Sequence, residues 1–276
     1  MKVYFLDIDD CLIETSRLGK DELEALRTAL EKLGLPRSAE ITAEFKKSFH
    51  LLYDKHQGKP KTTEDESELE KYMDRLKVLQ SEIISKWGQV KKWSRECFIY
   101  IAAEKYGVKL TSQQVSFSAR LLWKSIAGHT PFYPDAKAFL HKLITRKIPF
   151  YLISSSDCRL TFDDRKNLFY YEPDYSKKLK IGRLKKLTGM GIPEENIFLG
   201  DPFDKPDPRI FRQALAKAKK VHGPGIHTVT IGDSPENDLE PAAVAGIKEL
   251  VWINRHATLK SNHRFLTVPG FDSLKI

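Results

Sequence analysis

The sequence is poor in cysteine and contains no long apolar run. Its 276 residues include three cysteines, Cys11, Cys97 and Cys158, without the spacing of metal ligands. Such a set argues against a disulfide framework or a zinc finger and favours a reducing compartment. No stretch of eighteen apolar residues is present, so we expect no membrane-spanning helix. Acids at positions 7 to 10 interrupt the first apolar stretch, which is atypical of a signal peptide, and we expect a cytoplasmic protein.

Acidic residues are in deficit. The chain has 37 Asp and Glu against 46 Lys and Arg, a formal net charge of +9, which favours anionic partners. The basic residues are spread along the chain, and the densest cluster, residues 177–186, is interrupted by apolar residues at helical spacing, as on a solvated helix face. No RNA-binding signature is present. The charge is compatible with a nucleic acid, an acidic membrane surface or a phosphorylated metabolite as the partner. We expect a small phosphorylated metabolite, and neither a nucleic acid nor a membrane.

The first half of the chain has helical periodicity. From residue 21 to about residue 128, apolar residues such as Leu23, Leu26 and Leu30 recur at steps of three and four. This spacing predicts amphipathic helices. We expect them near residues 21–33, 41–56, 66–87, 94–106 and 111–127, with no strand between them. Residues 16–129 are therefore predicted to form an all-helical inserted domain.

The remaining sequence alternates between apolar strands and helices. Strands are predicted at residues 2–8, 148–153, 197–199, 227–231 and 250–253, and helices near 134–144, 208–220 and 239–245. Such alternation is typical of an α/β, Rossmann-like domain with a parallel sheet and helices on both faces. We assign it residues 1–15 and 130–276. In such folds ligands bind beyond the carboxyl ends of the strands.

Polar residues follow several of these predicted strand ends. Carboxylates so close to a buried strand repel each other and are costly to remove from water, so a bound cation would explain them better than a solvated strand end. Ser154 could instead be a turn cap, and Lys205 an ordinary surface lysine. In chain order the set is Asp7 and Asp9, Ser154, Lys205, and Asp233 with Asp238.

This set and its order resemble the haloacid dehalogenase-like hydrolase superfamily. Asp7-Ile8-Asp9-Asp10-Cys11-Leu12 is similar to the first family motif, Ser154 to the second, Lys205 to the third and Gly232 to Asp238 to the fourth. The resemblance covers residues 1–15 and 130–255. The helical insert lies between the first and second motifs, where some members carry a C1 cap. The resemblance therefore implies a C1-capped phosphatase.

The resemblance also implies roles for the two acids of the first motif. Asp7 would be the nucleophile that attacks phosphorus and forms an aspartyl-phosphate. Asp9 would protonate the leaving oxygen and later activate water. Family members that break carbon–halogen bonds typically lack an acid at this second position. Asp9 therefore favours phosphate transfer over dehalogenation.

A Mg²⁺ ion is the implied cofactor, since it would offset the repulsion between a carboxylate and a phosphate. The resemblance places it on the side chains of Asp7 and Asp233 and on the backbone carbonyl of Asp9. Asp238, with Asn237 beside it, would lie behind these ligands and orient the catalytic lysine or a metal-bound water.

Two further residues are expected to bind the phosphoryl group. Ser154 would donate a hydrogen bond to a phosphoryl oxygen, with Ser155 as the alternative in the neighbouring register. Lys205 would neutralise the charge that develops on the transferred group, a role for which a compact ammonium is suited.

The segment 157–196 departs from the family pattern because it is long, aromatic and basic. It could form the rim of the site, bind a partner or be a packed excursion. Packing is the interpretation that we favour.

The leading hypothesis is a Mg²⁺-dependent phosphatase acting on a small phosphorylated metabolite, possible substrates including a nucleoside monophosphate. A phosphotransferase or mutase of the same family, and a catalytically inactive nucleic-acid-binding or regulatory protein that kept the fold, are the alternatives. Specificity is expected to reside in the helical insert. Candidate contact residues there are Arg17, Lys20, Lys46, Lys47, Trp87, Trp93 and Trp123.

Overall fold

The structure, a computed structural model, describes residues 1–15, 19–56, 62–129, 131–201, 203–255 and 264–275. The chain divides into two compact units. The sheet unit consists of Met1–Arg17, Thr130–Ser156 and Ile181–Ile276. The helical unit consists of Leu18–His129 and Asp157–Lys180.

The strands, in chain order, are β1 (Lys2–Asp7), β2 (Phe150–Ser154), β3 (Leu160–Asp163), β4 (Leu168–Tyr171), β5 (Ile197–Leu199), β6 (His227–Gly232), β7 (Glu249–Ile253) and β8 (Leu266–Val268). The helices are α1 (Lys20–Lys32), α2 (Ser38–His56), α3 (Thr63–Leu79), α4 (Ser81–Trp87), α5 (Arg95–Lys105), α6 (Ser112–His129), α7 (Pro134–Thr145), α8 (Pro173–Arg183), α9 (Lys185–Thr188), α10 (Arg209–His222) and α11 (Glu240–Val244). Short helical turns are formed by Glu194–Asn196, Pro235–Leu239 and Phe271–Ser273.

The sheet unit is built on a parallel sheet with the strand order β5-β2-β1-β6-β7-β8. Successive side chains of a strand point to opposite faces. Tyr4 and Leu6 accordingly pack into one core together with α7, and Val3 and Phe5 pack into a second core together with α10. The predicted α/β class, with a parallel sheet and helices on both faces, is confirmed.

The register brings the carboxyl ends of the central strands to one edge of the sheet. Asp7 lies opposite Ile153 of β2, and Leu6 lies opposite Ile231 of β6. Ser154 and Gly232, which follow these two partners, therefore stand at the same edge as Asp7. This edge is the place where the sequence predicts a ligand site.

The helical unit has its own apolar core, and the predicted domain boundaries need a correction here. Residues 157–180 belong to this unit, although the sequence pattern predicted all of 130–276 in the α/β domain. The reason is apolar packing, since Phe162 and Phe169 of the antiparallel hairpin β3–β4 are buried in the same core as the helices. The ring of Tyr100 in α5 lies 4.5 Å from that of Phe162. The unit is therefore not all-helical, and the favoured interpretation of a packed excursion fits these contacts.

One predicted helix is divided in the structure. The periodicity predicted a helix over 66–87, but α3 ends at Leu79 and α4 begins at Ser81. Gln80 leaves helical geometry, and its buried side chain accepts from the backbone N–H of Lys91 at 2.6 Å and donates to the Lys91 carbonyl at 3.3 Å. Arg17, a candidate specificity residue, lies outside the described residues.

In the described part of the chain, no helix combines the length and the apolar character that crossing a bilayer demands.

A buried ion pair joins the two ends of the 157–180 segment. Lys180 Nζ lies 2.8 Å from Asp157 Oδ1, and the two side chains are only 2% and 5% exposed. Removing one partner of a buried pair leaves the other charge poorly compensated in a medium of low polarity. We therefore expect Asp157→Asn to lower the free energy of unfolding by roughly 3 kcal/mol. Thermal unfolding followed by circular dichroism measures this.

Two control variants sharpen this test. Asp157→Asn combined with Lys180→Met removes both charges and should recover part of the lost stability. Asp74→Asn, which breaks the exposed Lys77–Asp74 pair, should leave the unfolding midpoint unchanged. A wild-type midpoint for Asp157→Asn would contradict a stabilising role for the buried pair.

Candidate active site

A lysine from the loop after β5 is the centre of the polar cluster at the sheet edge. Lys205 Nζ donates a hydrogen bond to Asp7 Oδ1 and another, at 2.6 Å, to Asp238 Oδ1. All three side chains are at most 7% exposed. The alternative of Lys205 as an ordinary surface lysine is therefore wrong. One ammonium bridges the acid that ends β1 and an acid after β6.

The protonation of Lys205 follows from this arrangement. Burial disfavours the charged ammonium, but the carboxylates of Asp238 and Asp7 outweigh burial and raise the pKa of Lys205 above its ordinary value. A raised pKa favours the charged form of Lys205 at neutral pH.

The end of β6 is shaped to admit Asp238. A Cβ atom on Gly232 would collide with the Cβ of Asp238, so a residue without a side chain is required there. The backbone N–H of Ser234 donates to the second oxygen of Asp238 at 3.0 Å. Asp238 is thus held by Ser234 on one oxygen and by Lys205 on the other. Its role in orienting Lys205 stays a prediction.

Three carboxylates gather where the sequence predicts a metal ion. Asp7, Asp233 and Asp238 each offer an oxygen, and these oxygens lie within 4.8 Å of one another. Hard oxygen ligands in such a cluster suit Mg²⁺. The donor set therefore fits the implied cofactor, with Asp7 and Asp233 as the ligands expected from the sequence.

The electrostatics of the cluster also favour a cation. Burial raises the pKa of Asp7, and the negative charge of Asp238 raises it further, although Lys205 lowers it. Burial raises the pKa of Asp233 well above its ordinary value, and the charges of Asp7 and Asp238 add to this effect. One lysine does not balance the three acids. Additional positive charge would stabilise their ionised forms.

Asp9 lies beyond the end of β1, where the chain turns. The backbone N–H groups of Leu12 and Ile13 both donate to the carbonyl of Ile8, which closes the turn. The side chain of Asp9 therefore does not have to point away from that of Asp7, as it would in a continuous strand. The negative charge of Asp9 contributes to the raised pKa of Asp7. Its Oδ2 accepts a hydrogen bond from Ser154 Oγ at 2.7 Å. Ser154, predicted as a phosphate ligand, thus contacts the predicted general acid in this structure.

A second cation at the site was missed by the sequence analysis. Arg183, in the last turn of α8, donates from Nη2 to Asp9 Oδ1 at 2.8 Å. No family motif contains this residue, and it follows Ser154 by 29 positions. The only signal in the sequence was its place in the basic segment, which does not distinguish it from neighbouring lysines.

The remaining predicted residues lie at the margin of the cluster. Ser155 offers its carbonyl as a second acceptor to Ser154 Oγ, at 3.1 Å. Asn237 donates from Nδ2 to Ser234 Oγ at 2.9 Å, and its backbone N–H donates to the same oxygen at 3.2 Å. Asn237 thus supports the loop that carries Asp238. Its predicted role, like that of Ser155, stays a prediction.

Comparison with known proteins identifies the family. A model of the haloacid dehalogenase-like hydrolases matches residues 1–246. The chain therefore belongs to the haloacid dehalogenase-like hydrolase family, as the motifs indicated. Among curated proteins, none matches the chain significantly.

Solved structures share the fold at low sequence identity. A protein from Bacillus subtilis described as the HAD-hydrolase YfnB, solved bound to magnesium, has a TM-score of 0.55 at 14% identity, covering 98% of this chain and 95% of its own. A 2-haloacid dehalogenase from Pseudomonas syringae gives 0.51 at 16% identity, with 98% and 95% covered. A Thermotoga maritima protein described as a β-phosphoglucomutase gives 0.52 at 18% identity, with 95% and 89% covered.

The raised pKa values of Asp7 and Asp233 predict how pH affects magnesium binding. Both carboxyl groups hold protons more tightly in the metal-free folded protein than in the unfolded chain, so their protonation stabilises the fold at low pH. This contribution to the free energy of unfolding is lost as pH rises through the raised pKa values. Mg²⁺ needs the ionised carboxylates, so its stabilising effect should grow over the same range. Thermal unfolding with and without MgCl₂, from about pH 6 to about pH 9, measures this. At about a hundredfold excess over Kd the midpoint should rise by roughly 5–10 °C.

Variants separate a specific site from a general salt effect. Asp233→Asn should abolish the magnesium-induced rise, whereas Asp74→Asn on an exposed helix face should retain it. A rise that is equal at all pH values, or that persists in Asp233→Asn, would contradict the predicted ligand set.

Proposed function

We propose that the protein is a Mg²⁺-dependent phosphatase that hydrolyses a small phosphorylated metabolite through an aspartyl-phosphate on Asp7. The observation that carries this proposal is the position of Asp7. Its buried carboxylate is bound to Lys205, clustered with Asp233 and followed two residues later by Asp9. The residues proposed as nucleophile, cation and proton carrier are thus close together.

Asp7 supplies the oxygen that attacks phosphorus. As the new oxygen–phosphorus bond forms, the bond from phosphorus to the leaving oxygen breaks. Lys205, bound to Asp7, offsets the negative charge of the transferred group. Asp238 keeps the ammonium in place through its 2.6 Å contact.

Asp9 carries the proton in both steps. It protonates the departing alkoxide, and it then accepts a proton from the water that attacks phosphorus and releases Asp7. A halide leaves as a stable anion and needs no proton, whereas an alkoxide does. Asp9 therefore supports phosphate ester hydrolysis over dehalogenation.

Asp7 and Asp233 are the residues that would hold Mg²⁺, together with the carbonyl of Asp9. When bound, the ion supplies positive charge between the nucleophilic carboxylate and the phosphoryl group. The magnesium-bound Bacillus hydrolase of similar fold supports this choice of cofactor.

The proposed partner is a small molecule, and a nucleoside monophosphate is the first class to test. The net charge of +9 favours an anionic substrate. Screening phosphorylated metabolites with Mg²⁺ would identify it.

The direct test measures phosphate release from p-nitrophenyl phosphate in the presence of Mg²⁺. We expect turnover by the wild type and a loss of at least about a thousandfold in Asp7→Asn, because the amide is a poor nucleophile. The control Asp74→Asn makes the same chemical change on an exposed helix face and should keep full activity.

Two results would contradict the proposal. Equal turnover by Asp7→Asn and wild type would exclude Asp7 as the nucleophile. An inactive wild type whose nucleic-acid binding is tight and falls steeply with salt would instead favour the nucleic-acid-binding alternative.

A phosphotransferase or mutase is the second candidate, and the fold shared with the Thermotoga protein described as a β-phosphoglucomutase favours it. Both activities use the same phospho-enzyme, and they differ in whether water or an alcohol accepts the phosphoryl group. Added sugar or alcohol acceptors should not reduce the yield of free phosphate from a phosphatase. If they divert most of the phosphoryl group into new esters, the protein is a transferase.

A further inference from the structure

Arg183 is a buried arginine directed at the predicted proton carrier. Its side chain is 5% exposed, and its Nη2 lies 2.8 Å from Asp9 Oδ1. The residue ends α8, where the helix dipole favours a cation. Asp9, by contrast, keeps 29% of its side chain exposed. Arg183 therefore holds the acid from within the protein, while part of the Asp9 side chain remains exposed to solvent.

Packing fixes Arg183 in the sheet unit. The chain leaves this unit after Ser156 and returns at Ile181. Leu184 and Leu187, which follow Arg183, are each 1% exposed in the core that also contains Ile8 of the Asp9 turn. Arg183 and Asp9 are thus carried by segments anchored in the same core.

The two oxygens of Asp9 have different partners. Oδ1 accepts from Arg183, and Oδ2 accepts from Ser154 Oγ at 2.7 Å. Donors on both oxygens fix the plane of the carboxyl group. Small errors in the placement of a reacting group can cost about a hundredfold in rate, so this constraint matters for proton transfer.

The partners also differ in hydrogen-bond chemistry. A guanidinium only donates, whereas a serine hydroxyl donates or accepts. While the Arg183 contact lasts, Oδ1 cannot carry a proton toward Arg183. The positive charge of the guanidinium beside Oδ1 therefore favours the transferable proton on Oδ2, where the neighbouring hydroxyl of Ser154 can donate or accept.

We propose that Arg183 is a positioning residue that orients Asp9 and selects Oδ2 as the oxygen that exchanges the proton. This inference rests on the proposed phosphatase function. In the first step the proton leaves Oδ2 for the leaving oxygen, as the Asp7 oxygen–phosphorus bond forms and the ester bond breaks. In the second step Oδ2 takes a proton from water, as the water oxygen binds phosphorus and the bond to Asp7 breaks.

The test is a series of phosphate esters that differ in leaving group. An alkoxide needs the proton from Asp9, whereas dinitrophenolate is stable without it. In Arg183→Met, kcat/KM should fall by about a hundredfold for an alkyl phosphate and by less than about fivefold for dinitrophenyl phosphate. Asp9→Asn should show the same selectivity with a larger loss on the alkyl ester.

A conservative substitution and chemical rescue test whether the planar guanidinium itself orients Asp9. Arg183→Lys restores the charge but not the planar fork, so its loss on the alkyl ester should be intermediate. Guanidinium chloride added to Arg183→Ala should restore part of the alkyl phosphatase activity. The matched control is Arg264→Met, which removes an arginine that is 69% exposed in the same unit and should behave as wild type.

Other outcomes overturn the inference. Equal losses of kcat/KM on both esters in Arg183→Met would indicate a structural or a substrate-binding role for Arg183. In the second case KM would also rise. Unchanged kcat/KM on both would show that Arg183 is dispensable. Retention of the magnesium-induced rise in unfolding midpoint establishes that the variant is folded. A wild type inactive on every ester would remove the proposed function, and the inference with it, whereas failure of the inference alone leaves wild-type activity intact.

Discussion

The salt bridges of Lys205 to Asp7 and Asp238 are the interaction on which the site depends. A parallel sheet brings the ends of β1 and β6 together, and both ends carry acids that repel each other when buried. The ammonium of Lys205 between them offsets this repulsion. It also leaves Asp233 and the remaining negative charge available to a divalent cation.

The site uses two cations for two acids with different tasks. Lys205 holds Asp7, the proposed nucleophile, and Arg183 holds Asp9, the proposed proton carrier. Each cation reaches the sheet edge from a loop or helix that follows a different strand. A substitution of Arg183 should therefore disturb Asp9 without removing the contact between Lys205 and Asp7. This holds although Asp7 and Asp9 are only two residues apart at the end of β1.

Local patterns in the sequence predicted the sheet, because apolar strands that alternate with helices are typical of a parallel sheet. The acids were found in the same way, since in such sheets ligands bind at the carboxyl ends of the strands. Arg183 could not be predicted in this way. Its approach to Asp9 depends on where the chain returns after residues 157–180 pack in the helical unit, which is a tertiary effect. The hairpin was missed although both of its strands have sequences typical of strands. Leu160–Asp163 alternates apolar and polar residues, and Leu168–Tyr171 is a short aromatic run. The break at Gln80 depends on its distant partner Lys91.

We propose that Asp7 and Asp233 bind one divalent cation together. Anomalous diffraction from a crystal grown with Mn²⁺ in place of Mg²⁺ would locate that ion. We predict one peak at a coordination distance of about 2.0–2.2 Å from a carboxylate oxygen of each residue. A peak elsewhere, or no peak at this edge of the sheet at saturating Mn²⁺, would contradict the claim.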